Sequence, residues 1–136
     1  MKITDFIICD DVRMEIGNKI SIMGIYNDSI ILSVPGAETT WPVPLRLGLF
    51  VRFLFDVDDQ QPDHFRLLIR HEAKEIASGE GMIQIQDSTK PFTLAMPIPM
   101  VLIPEPGYLH FQIVLSKGAT ILFDQEIGRP LAINRP

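Results

Sequence analysis

Apolar and polar residues alternate along much of this chain, and the alternation is clearest over residues 45–57. Leu45, Leu47, Leu49, Val51, Phe53, Phe55 and Val57 hold every second position, with Arg46, Gly48, Arg52 and Asp56 between them. A strand sends successive side chains to opposite faces, so a strand here has one wholly apolar face. Wound as a helix, the same residues would spread around the whole circumference. Phe50 and Leu54 add apolar groups to the second face and predict partial cover there too.

The same period recurs elsewhere. Phe6, Ile8 and Val12 alternate in a first strand, and Ile20, Ile22 and Tyr26 in a second. The turn-forming run Glu15-Ile16-Gly17-Asn18-Lys19 between them predicts a hairpin. Residues 30–34 read as another short strand. Pro35-Gly36 breaks it, and Trp41-Pro42-Val43-Pro44 leads stiffly into the long strand. Phe65, Leu67 and Ile69 begin a further strand, which Glu72-Ala73-Lys74-Glu75 turns back as a turn or a short helix. Gly79 and Gly81 read as punctuation before Ile83 and Ile85. Phe92, Leu94, Met96 and Ile98 alternate next, then Leu109, Phe111, Ile113 and Leu115. Lys117-Gly118 makes a tight turn, and Ile121, Phe123 and Ile127 return.

These elements predict an all-β domain over residues 1–136, an antiparallel β-sandwich of about eight or nine strands with Ig-like or C2-like character. A closed barrel is the second choice, because the many prolines imply open edges. Two of those prolines place an edge. Pro97 and Pro99 stand two residues apart in a strand-like run, so they delete amide donors along one side of it. The segment 96–100 is therefore expected at a sheet edge, with both prolines facing away from any ladder, where they hinder edge-to-edge aggregation.

Composition narrows the class. With 136 residues and 46% apolar content, the chain can bury a core without staples. No apolar run approaches the ~18 residues of a membrane-spanning helix. Residues 1–5 lack the apolar segment of a signal peptide, and the lone Cys9 has no internal partner, so a cytoplasmic location is expected. A net charge of −5 without a Lys/Arg run argues against a nucleic-acid partner.

Candidate chemistry is sparse. His64 and His71 are seven apart, which puts them on opposite faces of a regular strand, and His110 lies opposite Leu109 and Phe111. No pair has zinc-site spacing, so three partly exposed, hydrogen-bonded imidazoles are expected. Cys9 sits beside Asp10 and Asp11, whose charges raise a thiol pKa, so it reads as a small buried hydrophobe instead of a nucleophile. Asp10 and Asp11 diverge to opposite faces and are expected to pair with Arg13 or Lys19. Asp56, Asp58, Asp59 and Asp63 form the densest acidic cluster. Loop carboxylates of this kind can bind calcium, although the spacing is not that of an EF-hand, and a solvated loop is the plainer reading. Trp41, Tyr108 and His110 are candidates for binding a small molecule or carbohydrate, with Trp41 alternatively capping the core. Phosphate loops, nucleophile elbows and metalloprotease signatures are missing, so no cofactor and no enzymatic activity are expected.

The segment Asp5-Phe6-Ile7-Ile8-Cys9-Asp10-Asp11-Val12-Arg13, followed by Gly17-Asn18-Lys19 and Ile22-Met23-Gly24-Ile25-Tyr26, resembles a family of small uncharacterised bacterial proteins, a domain of unknown function. The resemblance covers the N-terminal hairpin. It implies a bacterial or phage-associated protein and carries no catalytic residues. The expectation is a non-enzymatic protein-binding or structural module. Self-association is expected through a second apolar face on the long strand around Phe50 and Leu54.

Overall fold

The computed structural model describes residues 1–32 and 40–134. Among the described residues nine strands follow one another: β1 (Lys2–Glu15), β2 (Lys19–Tyr26), β3 (Ser29–Ile30), β4 (Val43–Leu54), β5 (His64–His71), β6 (Lys74–Met82), β7 (Phe92–Ile103), β8 (Gly107–Lys117) and β9 (Thr120–Ile133). They form two sheets, ordered β2-β1-β4-β7 and β3-β9-β8-β5-β6. Every ladder is antiparallel except the two-residue parallel pairing of β3 with β9. Neither sheet closes into a barrel, so the molecule is a β-sandwich. Among the described residues no helix is long and apolar enough to cross a membrane.

Alternation builds the core. Leu45, Leu47, Leu49, Val51 and Phe53 of β4 face Leu109, Phe111, Ile113 and Leu115 of β8, with Leu67 and Ile69 of β5 and Ile127 and Leu131 of β9 beside them. Central strands supply most of this interior, since they have a neighbour on each side. Glycines make the turns: Gly17 and Asn18 take positive φ between β1 and β2, and Gly118 does so between β8 and β9.

The long alternation ends sooner than expected. β4 stops at Leu54, where its ladders to β1 and β7 run out, and Val57 lies fully exposed in the following turn. Glu72 and Ala73 form a two-residue turn, with no helix. Gly79 and Gly81 are not breaks, because β6 runs through both. Gly81 lies under the Phe65 ring, which stands 2.8 Å from where a Cβ would be. Ile83 and Ile85 fall outside any strand, although Ile83 is buried and its amide donates to the Asp63 carbonyl. Of the strand expected at 30–34, only Ile30 is in β3; residues 33–34 and the break at Pro35-Gly36 lie outside the described residues. Pro97 and Pro99 are in β7, which among the described residues pairs only with β4 and is an edge strand.

Candidate functional site

The three histidines separate as the odd spacing required. His64 points outward near Glu80, at 3.7 Å, and His71 points inward. Its Nε2 lies 3.0 Å from the Glu105 carbonyl oxygen. His71 is buried, which corrects the expectation of three partly exposed imidazoles. His110 lies on the outer face of β8 with Nδ1 2.5 Å from Glu126 Oε1. Glu126 also approaches Arg70, whose guanidinium donates to Gln112 Oε1 at 2.5 Å, and Gln112 donates to Asp124. This face is an interlinked polar surface. Tyr108 and His110 share it, but Trp41 packs against the interior. The structure therefore does not gather Trp41, Tyr108 and His110 into one binding surface, and Trp41 caps the core.

The acidic cluster divides as well. Asp56 and Asp59 both meet the N-terminal ammonium of Met1, and Asp59 also accepts from the Asp56 amide at 2.7 Å. The hydrogen bond from the ammonium holds the Asp59 carboxyl below its ordinary pKa. Asp63 turns away to accept from the Gly118 amide at 3.2 Å, and Asp58 is exposed. Among the described residues no three His, Cys, Asp or Glu side chains converge as a metal site.

Cys9 is fully buried, and its thiol donates to the Asp11 carbonyl at 3.3 Å. Burial pushes its pKa up, opposite to what a nucleophile needs. The reason for its burial lies across the ladder. A Cβ at Gly48 would stand 2.8 Å from Cys9 Sγ, 2.8 Å from Val12 and 3.0 Å from the Asp11 backbone. Only glycine lets β1 press this closely against β4. Asp10 and Asp11 diverge as expected, but Lys19 pairs with neither. Asp11 binds Arg13 Nε and Arg46 Nη2, each at 2.9 Å. The hydrogen bond from Arg13, reinforced by the Arg46 charge, lowers its pKa. Asp10 accepts from the Tyr26 hydroxyl. Gly24, at φ +66°, leaves room for that contact, since a Cβ there would collide with the Asp10 carboxylate.

These contacts anchor the base of an unusual element. The β1–β4 ladder ends at Cys9↔Gly48, whereas the β1–β2 ladder continues to Glu15↔Lys19. Beyond Cys9 the hairpin therefore runs on as a two-stranded ribbon. Apolar side chains are exposed along this hairpin, Met14 70%, Ile16 96%, Met23 42% and Ile25 56%, beside the exposed Arg13, Glu15 and Lys19. β2 is also the least guarded of the sheet edges. β7 carries Pro97 and Pro99, β6 carries the exposed charges Lys74, Glu75 and Glu80, and β3 has only two residues. β2 has no proline and one charge, Lys19. Sequence patterning missed the ribbon, although Ile16 within a polar turn was a signal. The second apolar face expected on β4 is largely covered: Phe50 is buried, with the Arg52 guanidinium 5.3 Å above its ring.

A model of a family of unknown function, DUF6941, matches residues 4–118. No curated protein and no solved structure matches.

Proposed function

The chain belongs to this family of unknown function, and we propose that it is a non-enzymatic protein-binding module that docks through its β1–β2 ribbon. The carrying observation is the pairing of a strand edge that has a single charge, Lys19, and no strand partner among the described residues with exposed apolar side chains on the same hairpin. A two-stranded ribbon is marginally stable alone in water. An added strand satisfies its edge amides and carbonyls and covers its apolar residues.

The occupant we favour is a second copy. Antiparallel pairing of β2 with its own two-fold image is self-complementary. The molecule is acidic, but around the ribbon the charges balance: its own Arg13 and Lys19, together with Arg46 of β4 bound to Asp11, offset Asp10, Asp11 and Glu15. Two copies can therefore approach here without net repulsion. We place this module in the cytoplasm of a bacterium or phage-infected cell, supported by the free, buried Cys9 thiol and by the resemblance of the hairpin.

Sedimentation equilibrium tests the reading. The weight-average mass of the full chain is expected to rise toward the dimer with concentration. The double variant Ile16→Lys, Ile25→Lys should associate at least about tenfold more weakly, equivalent to ~1.4 kcal/mol, with an unchanged circular dichroism spectrum. A chain that stays monomeric at all concentrations, or a variant that dimerises equally well, removes the proposal.

A further inference from the structure

A compact cleft lies on the flank where β1 and β2 of the first sheet face β9 of the second. The irregular pairing of β9 with β8 shapes it. Between the pairs Leu109↔Leu131 and Phe111↔Ile127, β9 has Gly128, Arg129 and Pro130 where β8 has only His110. The surplus residues bulge out of the ladder, with Gly128 at φ +68° and Pro130 lacking an amide donor. Such a bulge interrupts pairing and re-aims a side chain. Here that side chain is Arg129, at the mouth of the cleft.

The cleft has a volume of about 290 Å³, close to the ~300 Å³ at which small-molecule pockets begin. Phe6, Ile8, Tyr26 and Leu131 supply its apolar wall, and Asn27 and Arg129 its polar groups. The Phe6 ring is seated on Gly128, where a Cβ would stand 2.5 Å away. That contact separates the cleft from the acidic one beyond it, lined by Asp58, Asp59 and Asp124. A cleft stopped in this way suits a compact ligand, not a continuing chain. The Tyr26 hydroxyl is engaged by Asp10, so this residue offers its ring. Arg129 is not engaged. Arg13, Arg46, Arg52, Arg66 and Arg70 each meet a carboxylate, whereas the exposed Arg129 meets none among the described residues.

We propose that this cleft binds a small organic carboxylate with an apolar body, either a ring or a short branched chain. The body lies against Phe6, Ile8, Tyr26 and Leu131. The carboxylate pairs with Arg129, whose planar guanidinium matches it with two parallel hydrogen bonds. The Asn27 amide is a second donor at the mouth. A neutral ligand would use the wall and leave Arg129 in water. A polyanion would be repelled by the net charge of −5. One carboxylate on an apolar body answers both the wall and the single cation.

The proposal does not depend on the ribbon, and a test separates the two. The isotope-labelled full chain is titrated with benzoate, isohexanoate and naphthoate, and its amide signals are followed by nuclear magnetic resonance. At least one of the three should saturably shift the signals of positions 6–8, 26–27, 128, 129 and 131. The corresponding neutral amide, with the same body and no charge, should bind at least tenfold more weakly. Arg129→Gln should weaken the carboxylate at least tenfold and abolish its advantage over the amide, with an unchanged circular dichroism spectrum. The ribbon variant Ile16→Lys should bind it as the parent chain does. No saturable shift at these positions with any of the three, equal binding of acid and amide, or indifference to Arg129→Gln would each overturn the proposal.

Discussion

Tyr26 and Cys9 show how the anchoring of the ribbon is tied to pH. Burial, then the hydrogen bond to Asp10, pushes the Tyr26 phenol from 10.0 to about 12, and burial raises the Cys9 thiol above 9.0. In both, the folded protein holds the proton more tightly than the unfolded chain. Their stabilising contribution is therefore complete below the unfolded pKa and is lost as pH rises through the folded one. Urea unfolding at increasing pH should show stability declining from about pH 9, and further between about 10 and 12. Tyr26→Phe should remove the upper part of that decline and leave the part due to Cys9. An unchanged profile in this variant would mean that Tyr26 does not hold its proton as described. At this scale the sequence was partly legible. Alternation with Ile7 marked Cys9 as buried. It gave no sign that Asp11 would bind Arg46, because that contact spans two strands distant in the chain.

At the scale of elements, period-two patterning tells which way a side chain points but not where a strand runs out of partners. Val57 keeps the parity of Phe53 yet lies in water, because the ladders on both sides of β4 have ended. Glycine misled for a related reason. Gly79 and Gly81 suggested a break, but Gly81 is a strand position on which the Phe65 ring rests. The proline spacing was informative because deletion of amide donors is a backbone fact that no tertiary context restores. That logic extends to a variant. Replacing Pro97 and Pro99 by valine gives β7 a complete set of amides and higher strand propensity, by up to ~1 kcal/mol per site. Folding should be little affected, while light scattering during storage should increase as β7 edges pair between molecules. Equal scattering from variant and parent would show that the prolines do not guard this edge.

The whole molecule depends on one interior shared by both sheets. Phe6 of the first sheet meets Phe111 of the second at 5.9 Å between ring centroids, and Phe53 meets Phe123 edge-on at 5.7 Å. Since inward positions are committed to this core, contacts with other proteins are left to what the sandwich does not bury: the ribbon and the outer faces. Loss of one bridging ring should consequently be felt everywhere. Phe111 is 1% exposed, and Phe111→Ala should cost ~3–5 kcal/mol, a large part of the 5–15 kcal/mol typical of a domain. Because neither sheet has another apolar layer to cover it, both should unfold together. Far-ultraviolet circular dichroism, which follows the strands, and near-ultraviolet signals, which follow Trp41 at the core margin, should move to lower urea concentration by the same amount. Transitions that part company would mean that one sheet survives alone. The ribbon, carried by β1 and β2, would then rest on one sheet instead of on a common core.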